Sequence, residues 1–217
     1  MKKLAAARVA VFGIGGVGGH CVEALARSGV GKFVLVDRDT VSITNLNRQI
    51  IALHSTVGLA KVEVMKARIA DINPNAEVRA VREFFLPETA ERFDFSEYDT
   101  VVDAVDTVTA KIEIVLRANA AGVPVVSCMG AGNKSDPARF QLADLSETSV
   151  CPLARVMRRE LRARGIEHLQ VVYSREEPKK CGAGVPASLA FVPSVAGLLL
   201  ASAVVRGICG DPHGQNG

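Results

Sequence analysis

The sequence predicts an α/β protein: a Rossmann-like, mostly parallel sheet with helices on both faces, continued by antiparallel strands and an apolar C-terminal helix. Three observations predict it. Short β-branched apolar runs recur through the first 130 residues. Helically spaced apolar residues fill most of the intervals between them. A glycine turn, GIGGVG at Gly13 to Gly18, joins the first run to the first helical interval.

The elements follow in order. MKKLAAARVAVFG carries two lysines and an apolar run. That run leads straight into the glycine turn without a cleavage site, so it is read as the first strand, 8–13, and not as a signal peptide. Further strands are read at 32–37, 76–81, 99–105 and 123–129. Val22, Leu25 and Ala26, then Val62, Met65 and Ile69, then Ile112, Val115 and Leu116 have helical spacing. The short segments SG at 28–29, NPN at 73–75 and AGVP at 121–124 supply stops. Alternation of strand and helix implies parallel pairing. After Met129 the pattern changes. GAGNKSDP is a loop, ARFQLADL an antiparallel strand, CPLARVMRRELRAR a helix and HLQVVYS another strand. The stretch Ala187 to Val205 is long enough to span a bilayer. It contains Pro193 and many small residues, and reads as a buried helix in a core or dimer interface, with no membrane span. Residues 1–209 are expected to form one domain and 210–217 a disordered tail.

Composition sets bounds. With 217 residues, 48% apolar and 23% charged, the chain can bury a core. A net charge of +3 argues neither for nor against a nucleic-acid partner. Five scattered cysteines without a C-x-x-C pair argue against a four-cysteine zinc site and against a disulfide scaffold. A reduced, cytoplasmic protein is expected.

The chemistry lies after the strand ends. Gly13, Gly15 and Gly18 fit G-x-G-x-x-G, a turn that lets the backbone approach a phosphate at a helix N-terminus. Asp37 ends the next strand, where an acid can accept hydrogen bonds from ribose hydroxyls. The pattern alone fits a dinucleotide dehydrogenase or an empty tight turn. The stretch DRDTVSITNLNRQI, which follows at once, adds what a triphosphate requires. Arg48 can fork onto phosphate oxygens, Asn45 and Gln49 can donate from amides, and Lys61 can add a point charge. Asp106 follows the strand 99–105 at the sheet edge where such folds bind ligands, and suits magnesium. Each has a plainer alternative: Arg48 a surface salt bridge, Lys61 a solvated helix residue, Asp106 a helix cap.

In the order GIGGVG, VDRDTVSITNLNRQ, GLAKVEVMKARI and DAVDT, the chain resembles the ubiquitin-activating-enzyme-like adenylyltransferases. The segments NRQIIALHSTVGLAKVEVMKARIADINP, GAGNKSDPARFQLADL and CPLARVMRRELRARG look most like the tRNA threonylcarbamoyladenosine dehydratase branch. The resemblance implies ATP and Mg2+, a homodimer, and a tRNA substrate. It also implies these roles: Gly13, Gly15 and Gly18 at the phosphates, Asp37 at the ribose, Asn45, Arg48, Gln49 and Lys61 at the triphosphate, and Asp106 at the metal. It leaves open a monovalent cation and a sulfur-transfer protein partner. In this chemistry a carboxylate attacks the α-phosphate, and an internal nucleophile then expels AMP as a ring closes. The alternative is adenylation of the C-terminal Gly-Gly of a sulfur-carrier protein, with Cys181 placed where a thioester cysteine could sit. On the helix 154–164, Leu153, Val156, Met157 and Leu161 form an apolar face. The resemblance makes Arg158 and Arg162 the expected contacts to tRNA phosphates.

Overall fold

The computed structural model describes residues 2–177 and 188–210. Its elements are α1 (Lys2–Ala6), β1 (Arg8–Phe12), α2 (Gly16–Arg27), β2 (Lys32–Val36), α3 (Lys61–Ile72), β3 (Glu77–Val81) and β4 (Thr100–Asp103). Then come α4 (Val108–Ala120), β5 (Val125–Cys128), β6 (Phe140–Asp144), α5 (Pro152–Arg162), β7 (Gln170–Ser174) and α6 (Phe191–Cys209). The seven strands form one sheet in the order β3-β2-β1-β4-β5-β7-β6. Of the two strands added after β5, β7 pairs parallel with β5, and β6 is the antiparallel one.

Strand order reverses at β1, which has β2 on one side and β4 on the other. Crossovers from β1 to β2 and from β3 to β4 therefore leave the sheet on opposite faces, and a crevice opens at its carboxyl edge. β1 serves both faces, as its period of two requires. Val9 and Val11 pack under α2, α3 and α6. Ala10 and Phe12 point the other way. There Phe12 meets Phe85 at 4.8 Å between ring centres and stacks on Phe95 at 5.7 Å.

α6 buries Val192, Pro193, Ala196, Gly197, Leu200, Ala201, Ala203 and Val204 against α2 and the sheet, as expected of a core helix. Length and composition alone would let it cross a membrane. Its seam with α2 is unusually close, because a Cβ on Gly197 would lie 2.3 Å from the Val17 carbonyl. The helix runs four residues further than the apolar stretch ends and stops at Gly210, whose φ of 77° makes a left-handed cap. The sequence offered no separate element before Arg8, yet Lys2–Ala6 is helical. Leu4 is buried there, and Lys3 donates to the last carbonyl of α6, that of Cys209, at 3.1 Å. The tail 211–217 lies outside the described residues.

α2 and α3 are joined through Glu23. Arg68 donates to its carboxylate at 2.6 Å and Arg27 at 2.8 Å. Burial raises the Glu23 carboxyl, but the two guanidinium groups outweigh it and hold the group below the usual carboxylate range. A depressed carboxyl contributes stability above its unfolded value and loses it as pH falls through its folded value. Glu23→Gln is therefore expected to lower stability by about 1–3 kcal/mol near neutral pH. The difference from the parent should shrink as pH falls below the unfolded carboxylate value and through the lower folded one, as read from denaturant midpoints at neutral and acid pH.

Candidate active site

The three motif glycines do different work. Gly13 sits at φ 90°, a left-handed conformation costly for other residues, and a Cβ there would lie 2.6 Å from the Ala104 carbonyl oxygen. A Cβ on Gly18 would fall 1.8 Å from the Gly13 carbonyl oxygen. Both are demanded by the protein's own packing. Gly15 is not: the nearest atom to its added Cβ is Gln49 Nε2 at 3.8 Å. What a side chain at 15 would fill is open space at the N-terminus of α2, which has no side-chain cap. That space fits the close approach of a phosphate group to the backbone.

Asp37 fixes this turn. One carboxylate oxygen accepts from the Ile14 N–H at 2.7 Å and the other from the Asp39 N–H at 2.9 Å. Asp39 in turn holds Lys61 Nζ at 2.9 Å, and its carbonyl accepts from the Lys61 N–H at 3.0 Å. Lys61, the first residue of α3, is 6% exposed and so is not a solvated helix residue.

The polar stretch folds back over the first turns of α2. Asn45 is buried and its Oδ1 accepts from the Ser42 N–H at 3.0 Å, making a capped 3-10 turn. The Arg48 carbonyl comes within 3.5 Å of where a Gly16 Cβ would be. Its guanidinium donates to the Thr44 carbonyl at 2.9 Å and to Asn47 Oδ1 at 2.8 Å, with no carboxylate partner among the described residues. Gln49 is 7% exposed, and its Oε1 is the one fully buried side-chain polar atom without a partner among the described residues. An orphaned buried acceptor costs about 1–3 kcal/mol, and the other atom of this amide, Nε2, is the one nearest the open space at Gly15.

Asp106 is exposed on the turn after β4. It does not cap α4: Thr107 holds the cap position, and among the described residues Asp106 Oδ1 contacts only the Thr107 hydroxyl, at 3.4 Å. No cluster of three or more His, Cys, Asp or Glu occurs among the described residues. A metal here would need ligand oxygens beyond the protein, as magnesium takes from phosphates. All nine sequence-derived site residues outside α5 thus converge on the crevice at the β1–β4 reversal.

The two α5 arginines lie elsewhere, on the helix packed against α4. Arg158 donates to the Leu145 carbonyl at 3.0 Å and the Thr148 carbonyl at 2.8 Å, tying down the turn at 145–148. Nη1 of its half-buried guanidinium is thus engaged inside the protein, and Arg158 serves the fold at this turn. Its position signalled this, four residues after Ala154 and three before Leu161, both buried. Arg155 and Arg162 are exposed, and their side chains make no ion pair or hydrogen bond among the described residues. Arg159 pairs with Glu160.

One feature escaped the sequence. Asp103 and Lys111, each fully buried, form an ion pair at 2.9 Å behind the Asp106 turn. The signal was present: Lys111 shares a helix face with Ile114, Val115 and Ala118. Of the cysteines, Cys21 and Cys128 are buried thiols. Burial pushes Cys128 up to about 12 and Cys21 higher still, so neither is a nucleophile near neutral pH. Cys181 lies outside the described residues.

The whole chain, residues 1–217, matches the model of the ThiF family. The chain belongs to the ThiF family. One ThiF-type relative, tRNA threonylcarbamoyladenosine dehydratase of Bacillus subtilis, is 47% identical over 97% of this chain and 90% of its own length. The Escherichia coli protein of the same name is 42% identical over 75% of this chain, a match that spans 61% of the relative. The crystal structure of the E. coli dehydratase in complex with ATP has a TM-score of 0.90 to this chain at 34% identity. It covers 99% of this chain and 90% of that one.

The glycines of this ThiF-family turn are separable by experiment. Gly15→Ala is expected to leave the thermal midpoint within a few degrees of the parent. It should weaken ATP binding about tenfold to a hundredfold, the 1–3 kcal/mol typical of a methyl group forced into a filled space. Gly18→Ala is expected to destabilise the fold by more than about 3 kcal/mol. Calorimetric titration with ATP and thermal melts of both variants check the pair; equal ATP affinity in Gly15→Ala and parent would remove Gly15 from the site.

Proposed function

We propose that this chain catalyses ATP-dependent dehydration of threonylcarbamoyladenosine in tRNA through an acyl-adenylate. The observation that carries the ATP half is the open space at Gly15, at the N-terminus of α2, with Gln49 Nε2 as the nearest atom to it. The tRNA half rests on the dehydratase relative matched through 97% of this chain. The carrier-protein reading has less behind it: molybdopterin-synthase adenylyltransferase of E. coli is 37% identical over only 55% of the chain.

The reaction has two displacements. A carboxylate oxygen of the threonyl group attacks the α-phosphorus of ATP, and pyrophosphate leaves. A nucleophile within the same side chain then attacks the activated acyl carbon, AMP departs with the former carboxylate oxygen, and the ring closes. The balance is ATP in, AMP and pyrophosphate out, and the elements of water removed from the substrate. The protein supplies position and charge. Asp37 holds the glycine turn and retains lone pairs for ribose hydroxyls. Arg48 exchanges the Thr44 carbonyl and Asn47 for phosphate oxygens, and its charge matters most as pyrophosphate leaves. Lys61, held by Asp39, adds a second positive charge. Gln49 contributes its amide, and Asn45 keeps the turn that presents Arg48. Magnesium, bound by Asp106 together with phosphate oxygens, would neutralise the leaving group. Residues 1–209 act as one domain in a cytoplasmic homodimer, for which the exposed Phe191 and Leu198 of α6 offer apolar surface.

ATP–pyrophosphate exchange that requires tRNA carrying threonylcarbamoyladenosine tests the reading, with exchange dependent on a carrier protein selecting the alternative. In that assay Arg48→Ala is expected to lose at least about a hundredfold while keeping its fold. Near-parental turnover would refute the role of Arg48.

For RNA, Arg155, Arg159 and Arg162 form the outward stripe of α5, three and four residues apart. Arg155→Ala with Arg162→Ala is expected to weaken tRNA binding while leaving ATP binding intact. The dependence of that binding on log salt should flatten by about one unit for each phosphate that the helix no longer touches. Equal affinity and slope would move the RNA surface elsewhere.

A further inference from the structure

We infer that the buried Asp103–Lys111 pair is a positioning unit, one that aims the Asp106 turn and holds it against the glycine turn. Both residues are 0% exposed. The three ammonium protons of Lys111 have three acceptors: the two Asp103 oxygens at 3.0 and 2.9 Å, and the Val105 carbonyl at 3.0 Å. Asp103 also receives the Ser127 hydroxyl at 2.5 Å and the Val105 N–H at 3.3 Å. Every polar atom of the pair is satisfied.

Such a pair is poorly explained by stability. Removing two charges from water costs several kcal/mol per ion, and well-packed apolar residues of similar size serve a core as well or better. What the pair does that apolar side chains cannot is grip the backbone. It holds Val105 by both its N–H and its C=O, so the peptide leading into Asp106 has no free rotation. The same turn presses on the glycine loop. The Ala104 carbonyl oxygen lies 2.6 Å from where a Gly13 Cβ would stand, and the Ala104 N–H donates to the Phe12 carbonyl at 2.9 Å. Asp103 and Lys111 face neither open space nor ligand. They act through Val105 on Asp106, and through Ala104 on Gly13. Groups that orient a metal ligand in this way typically change metal affinity about ten- to a hundredfold when removed.

The inference rests on the reading of Asp106 as the magnesium acid, and the experiment separates the two. Lys111→Met alone would strand a buried carboxylate, so the variant is Asp103→Asn with Lys111→Met, which removes both charges and keeps the volume. ATP affinity is measured by calorimetry in EDTA and across a magnesium titration, beside the parent, Asp106→Ala and Ser127→Ala. The double variant is expected to melt near the parent and to bind metal-free ATP within about twofold of it. Its magnesium half-saturation should rise about tenfold or more. Ser127→Ala, which removes one donor to Asp103 and little bulk, should shift it in the same direction by less, and serves as the deciding variant if the double variant does not fold. A parental magnesium titration in the folded double variant, or in Ser127→Ala when the double does not fold, overturns the positioning role if Asp106→Ala does shift the titration. A parental titration in Asp106→Ala overturns the metal assignment and this inference with it.

Discussion

The site hangs on one carboxylate. Asp37 bonds forward to the Asp39 N–H and across the sheet edge to the Ile14 N–H. Because it comes directly after β2 and Ile14 follows β1, a single side chain sets the distance between the glycine turn and the polar stretch after β2. Asp39 carries that constraint to Lys61 at the start of α3. Three crossovers thereby share one reference point. The arrangement also explains why the stretch 37–49 reads so unlike packing. Its polar groups are consumed in holding one another: Asn45 the Ser42 N–H, Arg48 the Thr44 carbonyl, Asp39 the Lys61 ammonium. Among the described residues Gln49 alone keeps a buried unmet amide oxygen, and its amide nitrogen is the nearest atom to Gly15.

The sheet was legible because a parallel sheet covered on both faces must be built from continuous apolar runs, and RVAV, KFVLV and TVV leave little other choice. The helices between them were legible through their period. α1 was not, since five residues with one buried leucine have neither period nor cap. Nor was the wall formed by Phe85, Phe93 and Phe95 against Phe12, whose residues sit in irregular chain without a repeat.

At the site, residue type and strand-end position were enough to gather nine residues that the fold does bring together. They did not distinguish what each glycine is for. That depends on contacts with residues ninety positions away, such as Gly13 with Ala104. Burial was the other hidden quantity. Lys111 reads as charge on an exposed helix and is fully buried; Arg158 reads as one of five surface arginines and is turned inward onto two carbonyls. In both cases the neighbours three and four residues along the helix held the information, and counting charge passed over it.

The close seam at Gly197 has a mechanical consequence. The α6 backbone lies against the Val17 carbonyl, the His20 and Pro193 side chains close the same seam, and the Ala104 turn packs against the glycine turn at the start of α2, so α2 is held along its length. The other wall of the crevice, residues 42–59, consists of two short 3-10 turns and connecting chain, with Ile43, Leu53, Val57 and Leu59 exposed. Of the two walls, it is therefore residues 42–59 and not α2 whose apolar side chains stand open to solvent.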